Sequence, residues 1–575
     1  MSPSKLGYVF SEELREAAHK PTSQFYLNRL RVFLTVFIGI FVVLFARLFW
    51  LQVIEGTRNR ILSEENRILA RRIQAPRGVI MDRNEMVLVQ NIPVYKKAQN
   101  PACVREDGSI PAPRAEGCPE FVEITREEAL RLEASGQQAE VRTLVGRRYV
   151  YGPEIAHLTG FVGEVSHEDL AERSDYALGD LIGKSGIERM YEDFLHGKDG
   201  AELVEVDASS SVVREVAKKE PVNGRNLRLT LDYRLQRKGF ALLDDYRGAL
   251  VALDPRNGEV LALVSQPTFD PNDVAPSLDR EDQPFFNRAI AGLYPPGSVF
   301  KVVTATAGLE EGKIDASTEI EDTGEIRIGS YRYGNWYFDQ YGRKEGLVNV
   351  VRAMKRSNDI FFYRVGQLVG ATTLSFWGKA FGFGQATGID LPGEAQGLVP
   401  SPLWKEREKG ERWFLGNTFH FAIGQSDLTS TPLQVAQMTA VIANDGKLCR
   451  PHLALDGVGD EELCQDLTIS EETLRLVQEG MVEACLPKGT AFPFFNFGVE
   501  DGGEFRRIEV GCKTGTSEYG DPQGRTHAWF TVYAPSNNPE IVVTVLLEGA
   551  GEGSYQAAPV AKGFLEYYFK EISAD

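Results

Sequence analysis

The stretch YPPGSVFKVVTATAGL, residues 294–309, contains the pattern from which the fold and the chemistry of this chain are best inferred. Two prolines and a glycine precede an apolar run, and this order predicts a helix that begins at or near Ser298. Lys301 follows three residues later, so its side chain is expected on the same helix face as the serine. The hydroxyl and the amine can therefore meet.

A serine paired with a lysine is able to perform nucleophilic chemistry. The hydroxyl is a weak nucleophile until a base takes its proton, and a lysine can be that base when apolar neighbours and a helix N-terminus lower its pKa. The S-x-x-K pattern is weak by itself, because Ser2 and Lys5 match it too. The alternative interpretation makes Ser298 a helix cap and Lys301 a solvated side chain.

The segment RSNDIFFYRVG, residues 356–366, carries a second pattern of this kind. Ser357 and Asp359 have the S-x-[ND] spacing and stand where a helix is predicted to begin. A hydroxyl and a short polar group at this point can relay a proton and hold a substrate amide. The alternative interpretation of Ser357 is an N-cap of that helix.

The segment GCKTGTSEYG is the most specific of the three patterns, since K-T-G occurs nowhere else in the chain. It predicts a strand on which Lys513 and the hydroxyls of Thr514 and Thr516 hold a substrate carboxylate. Gly515 is expected to let a peptide lie along the strand edge. The backbone amides of Thr516 and Ser298 can form an oxyanion hole. The alternative is a basic edge strand followed by a turn.

The residues after Asn226 predict an α/β or α+β domain. GALVALDPRNGEVLALVSQPTFDP, residues 248–271, looks like a two-stranded hairpin with a turn at Asp254 to Gly258. Helical blocks and late strands follow it, at 298–311, 431–445, 507–516 and 527–548. This order predicts a central antiparallel sheet flanked by helices.

Residues 32–54 form one stretch that is apolar enough to cross a membrane. VFLTVFIGIFVVLFA is followed by Arg47 and LFWLQVI, and together they have the length of a spanning helix. The long side chain of Arg47 can extend to the interface near one end of the span. A cleaved signal peptide and a buried soluble helix are the alternatives, but the run is too long for the former and lacks a cleavage site. We expect an uncleaved anchor.

Charge does not orient this anchor, because arginines lie on both sides of it. The tail before it, residues 1–31, is short, whereas the domains after it are long and translocate largely regardless of local charge. We therefore expect a cytoplasmic tail, and a body exported to the periplasmic or extracellular side of the cell membrane.

The exported part is predicted to divide into a spacer, residues 55–222, and a larger domain, residues 223–575. In the spacer a helical pattern continues from the anchor to Pro76, and RGVIMDRN then predicts a short strand and a turn. Residues 92–147 form a small irregular unit with one charged helix. The rest of the spacer predicts short strands and one helix, without a cluster of chemically active residues.

Composition excludes several classes of function. Lysine and arginine number 63 against 81 acidic residues, and this net charge of −18 argues against a nucleic-acid partner. The six cysteines include no C-x-x-C pair, and His157, His420 and His527 are scattered, so neither a metal nor a cofactor is predicted. Each of these histidines is interpreted as an ordinary surface or core residue. Cys103 and Cys118 are either bridged or free.

S-x-x-K, S-x-[ND] and K-T-G in this order resemble the motifs of the penicillin-binding proteins and the serine β-lactamases. More narrowly, the chain resembles the class B penicillin-binding proteins of cell elongation, the penicillin-binding protein 2 group. The likeness covers nearly the whole chain. The stretches that carry it are APRGVIMDRN from Ala75, GKSGIERMYEDFLHG from Gly183, YPPG from Tyr294, SNDIFFY from Ser357, AIGQSDLTSTPLQVAQ from Ala422 and HAWFTVYAP from His527.

The resemblance implies an α+β transpeptidase fold on an elongated pedestal with one membrane anchor. It also implies that Ser298 attacks the D-Ala-D-Ala bond of a peptidoglycan stem peptide, with Lys301 as base, and releases D-alanine. An amine of a neighbouring strand then attacks the acyl-enzyme. Such cross-linking would serve cell-wall elongation and cell shape, and β-lactams would inhibit it.

The resemblance also implies roles for the other motif residues. Ser357 would assist proton transfer to the leaving amine, and Asp359 would contact the donor amide. The strand from Lys513 to Thr516 would bind the terminal carboxylate or its β-lactam mimic. A further implication is a partner, a SEDS-type glycan polymerase engaged through the anchor and the pedestal.

Two features depart from the family pattern. The region 92–147 is shorter than the usual head of the pedestal, and Asp359 replaces the commoner asparagine. Three alternatives stay open: a division-type class B transpeptidase, a β-lactamase, and a catalytically silent sensor that is merely acylated. YPPG and HAWF favour elongation, and a large anchored spacer has no purpose in a β-lactamase.

Overall fold

The computed structural model describes residues 23–65, 68–98, 121–135, 141–173, 176, 180–206, 212–455 and 463–573. Cys103 and Cys118 lie outside the described residues. The described chain divides into two units. The first holds the chain up to Ile73 together with Gly200–Glu220, and the second holds the rest, including all three motifs.

The first unit begins with a long apolar helix. It runs over Ser23–Phe49, continues as a π-helical turn over Trp50–Ile54, and is followed by a helix over Gly56–Glu65. The apolar part, Leu27–Ile54, has 28 residues, none of them buried. At about 1.5 Å per residue this part exceeds the roughly 30 Å of a hydrocarbon layer. It is a candidate membrane anchor of sufficient length.

A three-stranded antiparallel sheet completes this unit. Its strands, in spatial order, are Ile68–Ile73, Gly200–Val206 and Val212–Lys219. The prediction of a helical pattern up to Pro76 is wrong, because residues 68–73 pair with residues 200–205 along their whole length. Pairing with a partner this distant in the sequence outweighs local propensity, and no short-range pattern signals it.

The second unit contains a smaller sheet built on the long strand Val87–Ala98. Ile80–Met81, Phe121–Ile124 and Val141–Tyr149 pair antiparallel with this strand, and Leu227–Arg228 pairs in parallel with Ile80–Met81. The predicted strand and turn in RGVIMDRN are confirmed. The predicted charged helix is confirmed at Arg126–Ala134.

The stretch after this sheet contains several short helices where one was predicted. They span Ala156–Thr159, His167–Glu172, Gly186–Met190 and Glu192–Leu195. A short antiparallel pair of strands, Val162–Glu164 with Leu181–Gly183, also forms. None of these four helices exceeds six residues, which is too short for a helical hydrophobic period to be recognised in the sequence.

A buried ion-pair cluster joins two of the stretches that carry the family resemblance. Arg77, from APRGVIMDRN, donates from Nη2 to Glu188 Oε2 at 2.8 Å and from Nη1 to Glu192 Oε1 at 2.7 Å. Arg147 Nε donates to Glu188 Oε1 at 2.6 Å. Glu188 is fully buried, so the loss of one partner would leave an uncompensated charge in the interior. The cluster gives both stretches a structural role.

The larger part of the second unit is built on a five-stranded antiparallel sheet, here called the central sheet. Its strands, in spatial order, are Val260–Gln266, Gly248–Leu253, Ile541–Leu547, Thr526–Ala534 and Gly511–Glu518. The first two strands form the predicted hairpin. The last, the edge strand, pairs on one side only within the described sheet. The α+β prediction is confirmed.

Both faces of the central sheet are buried. Neighbouring residues of one strand point to opposite faces, so Val251 packs in one hydrophobic core and Leu250 in the other. The first core includes the helix Pro432–Ala443, whose 12 residues are all buried, and the second includes the helix Ala557–Tyr567. Burial on both faces explains why the strands are continuous apolar runs.

Further helices and short strand pairs surround the sheet. The helices are Tyr233–Leu242, Lys301–Glu310, Trp336–Tyr341, Val350–Arg356, Asp359–Val369, Ala371–Ala380, Pro402–Lys409, Leu415–Ala422 and Glu471–Ala484. The pairs are Ile320–Asp322 with Gly346–Val348, Glu325–Ile328 with Tyr331–Gly334, Lys447–Cys449 with Cys464–Asp466, and Gly498–Asp501 with Glu504–Arg507. The predicted helical blocks at 298–311 and 431–445 are confirmed.

Two disulfides link described cysteines, Cys449 with Cys464 and Cys485 with Cys512. The first joins the facing residues of a short strand pair. The second joins the end of the helix Glu471–Ala484 to the edge strand, directly before the K-T-G motif. Neither was predicted, since their separations of 15 and 27 residues match no recognisable motif.

The two-sided burial of the central sheet is testable at Phe530. This side chain is fully buried and stacks on Phe494 with ring centroids 5.0 Å apart. Phe530→Ala is expected to lower the free energy of unfolding by about 3–5 kcal/mol, measured by urea denaturation followed by tryptophan fluorescence. Phe376→Ala is the matched control, because that ring is 63% exposed and its loss should cost less than about 0.5 kcal/mol. Equal losses would contradict the assignment of the core.

Candidate active site

Ser298 lies in a single 3₁₀ turn, Gly297–Phe300, directly before the helix Lys301–Glu310. The predicted position of the serine, at or near the first helical turn, is confirmed. Its side chain caps neither the turn nor the helix, and Lys301 is fully buried. The alternative interpretation of the two residues, as a cap and a solvated lysine, is therefore wrong.

The serine turn is held closely against the central sheet. Trp529 Nε1 donates to Pro295 O at 2.9 Å, and Gly297 N donates to Gly424 O at 2.8 Å. Gly297 has a φ of 58°, and a Cβ at this position would lie 2.8 Å from Thr516 O. Because a side chain would be strained and crowded there, the glycine before the serine allows the turn to approach the edge strand.

Ser357 lies between the helices Val350–Arg356 and Asp359–Val369, in the left-handed conformation with a φ of 50°. The second helix is capped by Asn358, whose Oδ1 accepts from Phe361 N at 2.9 Å. The interpretation of Ser357 as an N-cap is therefore wrong. Its hydroxyl is available for other contacts.

The amines of two buried lysines converge on Ser357. Lys301 Nζ donates to Ser357 O at 2.8 Å and lies 3.2 Å from Ser357 Oγ. Lys513 Nζ donates to the same Oγ at 2.9 Å and to Thr514 O at 2.9 Å. Both lysine side chains have 0% exposure. Residues of all three motifs thus meet around one hydroxyl.

Asp359 is the carboxylate of this cluster. Its Oδ1 accepts from Lys301 Nζ at 2.6 Å, and its Oδ2 accepts from Trp336 N at 3.0 Å. The motif predicts that this side chain contacts a substrate amide. In the structure both carboxylate oxygens already accept a hydrogen bond from the protein.

The residues that hold the Ser357 turn in place were not predicted from the sequence. Asp322 is 1% exposed, and its Oδ2 accepts from Asn335 Nδ2 at 2.9 Å and from Asn358 Nδ2 at 3.0 Å. Asn335 Oδ1 accepts from Asp359 N at 3.2 Å. These side chains come from separate segments, so no sequence spacing indicates them.

The edge strand forms another wall of the site. Thr514 Oγ1 donates to Thr490 Oγ1 at 2.9 Å, and Thr516 is exposed. A Cβ on Gly515 would lie 2.9 Å from Trp529 Cβ and 3.1 Å from Val299 Cγ1. The missing side chain of Gly515 therefore makes room for the serine turn, whereas the motif predicted that it makes room for a peptide.

These groups border one cavity of about 560 Å³. The predicted site residues that line it are Ser298, Ser357, Asp359, Thr514, Gly515 and Thr516. The other two, Lys301 and Lys513, are fully buried and reach the cavity residues through the contacts above. Its lining also includes aromatic side chains that the sequence did not indicate, among them Tyr333, Trp336, Phe492 and Tyr555.

Burial governs the charge of the two lysines. It lowers the pKa of Lys301, and the Asp359 carboxylate acts in the opposite direction. Burial holds the pKa of Lys513 well below its usual value, and repulsion from Lys301 adds to the effect. Because desolvation disfavours an ammonium ion, burial at this site favours the neutral amine, which is the form that can accept a proton.

The three singled-out histidines have different environments. Burial lowers the pKa of His157 and of His527 to about 4, so both are neutral near pH 7. The ring of His527 stacks on Tyr519 with centroids 4.0 Å apart. These two fit the expectation of core histidines. His420 instead lines the cavity, and burial lowers its pKa.

Comparison with known proteins places this geometry in a family. Residues 248–566 match the penicillin binding protein transpeptidase domain. The chain belongs to the penicillin-binding protein transpeptidase family. Residues 118–229 match the penicillin-binding protein dimerisation domain. The peptidoglycan D,D-transpeptidase MrdA of Acinetobacter baumannii is 32% identical to this penicillin-binding protein, over 94% of this chain and 88% of the relative.

Solved structures resemble this penicillin-binding protein over most of its length. PBP2 of Helicobacter pylori, in complex with MreC, is 28% identical with a TM-score of 0.75, covering 87% of this chain and 99% of that one. A chain of a peptidoglycan synthase complex is 30% identical with a TM-score of 0.73, covering 94% and 98%. The resemblance inferred from the motifs and the expected fold on a dimerisation-type pedestal are confirmed.

The close approach of the serine turn to the edge strand is testable at Gly297. Gly297→Ala is expected to slow the labelling of the protein by a fluorescent penicillin about tenfold or more, because the new Cβ must displace Ser298 or the strand. Gly312→Ala is the matched control: it has a φ of 60°, and no described atom lies within 4 Å of its Cβ position. Both variants carry a left-handed strain of about 1–2 kcal/mol. Similar rates for the two would contradict a role for the close approach.

Proposed function

We propose that this chain is a peptidoglycan D,D-transpeptidase of the elongation type, which cross-links stem peptides and maintains cell shape. The observation that carries the proposal is the convergence of Ser298, two buried lysines and an open strand edge on one cavity. Its chemistry is acyl transfer through a serine ester.

The donor stem peptide lies along the open side of the edge strand and extends the central sheet by one strand. The hydroxyls of Thr514 and Thr516 hold its terminal carboxylate, with the Lys513 amine behind them. The backbone at Gly515 contributes to the pairing. This places the carbonyl carbon between the last two D-alanine residues next to Ser298.

In the acylation step Ser298 Oγ bonds to that carbonyl carbon while its proton passes to the neutral amine of Lys301. The backbone N–H groups of Ser298 and Thr516 stabilise the oxyanion, and each such donor lowers the barrier by about 3 kcal/mol. As the C–N bond breaks, the proton passes through the Ser357 hydroxyl to the amine of the departing D-alanine. The products are an acyl-enzyme and free D-alanine.

No hydrogen bond among the described residues joins Ser298 Oγ to Lys301 Nζ, whose partners are Ser357 and Asp359. Catalytic hydrogen bonds of this kind often form only when substrate is bound. In the second step an amine of a neighbouring stem peptide attacks the ester. Its proton returns through Lys301 to Ser298, and the cross-link is complete.

We further propose the location and domain division that the sequence predicts. Residues 1–31 form a cytoplasmic tail, 32–54 the anchor, 55–222 the pedestal with its short head at 92–147, and 223–575 the transpeptidase domain. The apolar helix over Leu27–Ile54 supports an anchor. The two disulfides support an exported body, because disulfides persist mainly in oxidising compartments.

The proposed ligands are stem peptides as donor and acceptor, and β-lactams as inhibitors. The proposed protein partner is a SEDS-type glycan polymerase, engaged through the anchor and the pedestal. The likeness to a chain of a peptidoglycan synthase complex supports a partner of this kind. A division-type role receives less support, because PBP2 of Helicobacter pylori, whose group the motifs link to cell elongation, resembles this chain over 87% of its length.

The nucleophile is tested by labelling with a fluorescent penicillin. Ser298→Ala is expected to abolish covalent labelling, because no other hydroxyl takes the place of Oγ beside the oxyanion donors. Ser317→Ala, which removes an exposed serine hydroxyl, should label like the unaltered protein. Equal labelling of Ser298→Ala would refute the assignment.

Cross-linking separates an enzyme from an acylated sensor. The membrane-anchored protein, supplied with lipid-linked glycan strands and a cognate polymerase, should release D-alanine and form linked muropeptides, and Ser298→Ala should do neither. Penicillin labelling without any cross-linking would favour a sensor, and rapid turnover of penicillin would favour a β-lactamase.

A further inference from the structure

The interior of the proposed active site contains more ionisable amines than carboxylates. Lys301 and Lys513 are both fully buried. Among the described residues, Asp359 is the one carboxylate that forms an ion pair with either amine, and it pairs with Lys301. The partners of Lys513 Nζ are uncharged oxygens, the Ser357 hydroxyl and the Thr514 carbonyl.

The hydrogen bonds of Asp359 favour a carboxylate over an amide. Its two oxygens accept from two different donors, Lys301 Nζ at 2.6 Å and Trp336 N at 3.0 Å. An asparagine has one oxygen and one NH₂ group, so it can accept from only one of them. With its oxygen on Trp336 N, its NH₂ would face Lys301 Nζ, and this arrangement is satisfied only when the lysine is a neutral acceptor.

We propose that Asp359 is the counter-ion of Lys301, and that its carboxylate sets the pH at which Lys301 begins to act as a base. This inference rests on the proposed function of the site. It replaces the expected contact between Asp359 and the donor amide with a direct contact to the group that takes the Ser298 proton.

The proton balance of the reaction gives the counter-ion its role. When Ser298 attacks, its proton moves to the lone pair of Lys301 Nζ, and an ammonium ion forms in a site without solvent contact. The Asp359 carboxylate, 2.6 Å away, stabilises that ion until the proton leaves with the departing amine. The Lys301–Asp359 pair therefore passes from a single negative charge to neutrality when Lys301 takes the proton of Ser298.

Other charged groups border the site without contacting Lys301 Nζ. Lys513, from the edge strand, is linked to Lys301 through one hydroxyl, because both amines lie within hydrogen-bond distance of Ser357 Oγ. Asp339 lines the cavity and pairs with Arg332. Glu518 and His420 also line it. Because the two lysines interact, the pH dependence reports an apparent pKa of the pair.

The test is the pH profile of penicillin acylation in Asp359→Asn. The second-order labelling rate should rise with pH as the lysine pair loses a proton. Without the carboxylate the ammonium form is less stable, so this rise should move to lower pH by about one unit or more, a tenfold change in the fraction of neutral amine. The plateau above it should fall, since a less basic amine takes a proton less readily.

Asp339→Asn is the matched control. It removes a carboxylate that lines the same cavity but pairs with Arg332 instead of a lysine. The pH at which its labelling rate rises should stay within about 0.3 units of that of the unaltered protein, far below the shift of about one unit expected for Asp359→Asn. If Asp359→Asn does not give a folded protein by circular dichroism, Asp359→Ser is measured with the same expectation.

The counter-ion role would be overturned if the labelling rate of the Asp359 variant rose over the same pH range as in the unaltered protein, or at higher pH. A shift as large in Asp339→Asn would also overturn it, since the effect would then come from the general field of the cavity. In both cases continued labelling at Ser298 would leave the proposed function intact, whereas labelling that survives Ser298→Ala would contradict the function itself.

Discussion

The active site depends on the burial of two lysine amines around the hydroxyl of Ser357. Removing an ammonium ion from water costs several kcal/mol unless other groups replace its solvation. Here the replacement is one carboxylate, one hydroxyl and the backbone carbonyls of Ser357 and Thr514. Because burial lowers the pKa of both amines, a larger fraction of each is neutral and able to accept a proton than would be in water, and this holds only while water stays out. The arrangement therefore requires a rigid surround.

The fold supplies this surround from elements whose other faces lie in the core. The serine turn is followed by a helix, and Phe300 of the turn and Val303 of the helix both lie in the hydrophobic core. The edge strand belongs to a sheet that is buried on both faces. The Ser357 turn joins two helices that place Met354 and Phe361 in the hydrophobic core. It is held by the buried Asp322 carboxylate, which accepts hydrogen bonds from Asn335 and Asn358. Apolar packing therefore supports all three motifs, and a polar network adds to it at the third.

The features that could be predicted from the sequence are those with local causes. The helix after Ser298, the strand at Lys513 and the hairpin after Gly248 follow from prolines, apolar periods and turn residues. The strand at residues 68–73 could not be predicted, because its partner lies some 130 residues away in the chain. The same holds for Asp322 and for the pairing of Cys485 with Cys512. The alternative interpretation of Ser357 as a helix cap was wrong because its neighbour Asn358, which is also a good capping residue, caps the helix.

An edge strand that is left open for a ligand is also open to a second copy of the same protein. Chains anchored in one membrane are confined to a thin layer, where unpaired backbone groups would promote self-association and aggregation. The exposed Glu518 at the end of this strand, with the overall charge of −18, opposes such contacts by electrostatic repulsion. If the edge strand receives a peptide as proposed, the bound peptide would also cover the backbone groups through which two copies could pair.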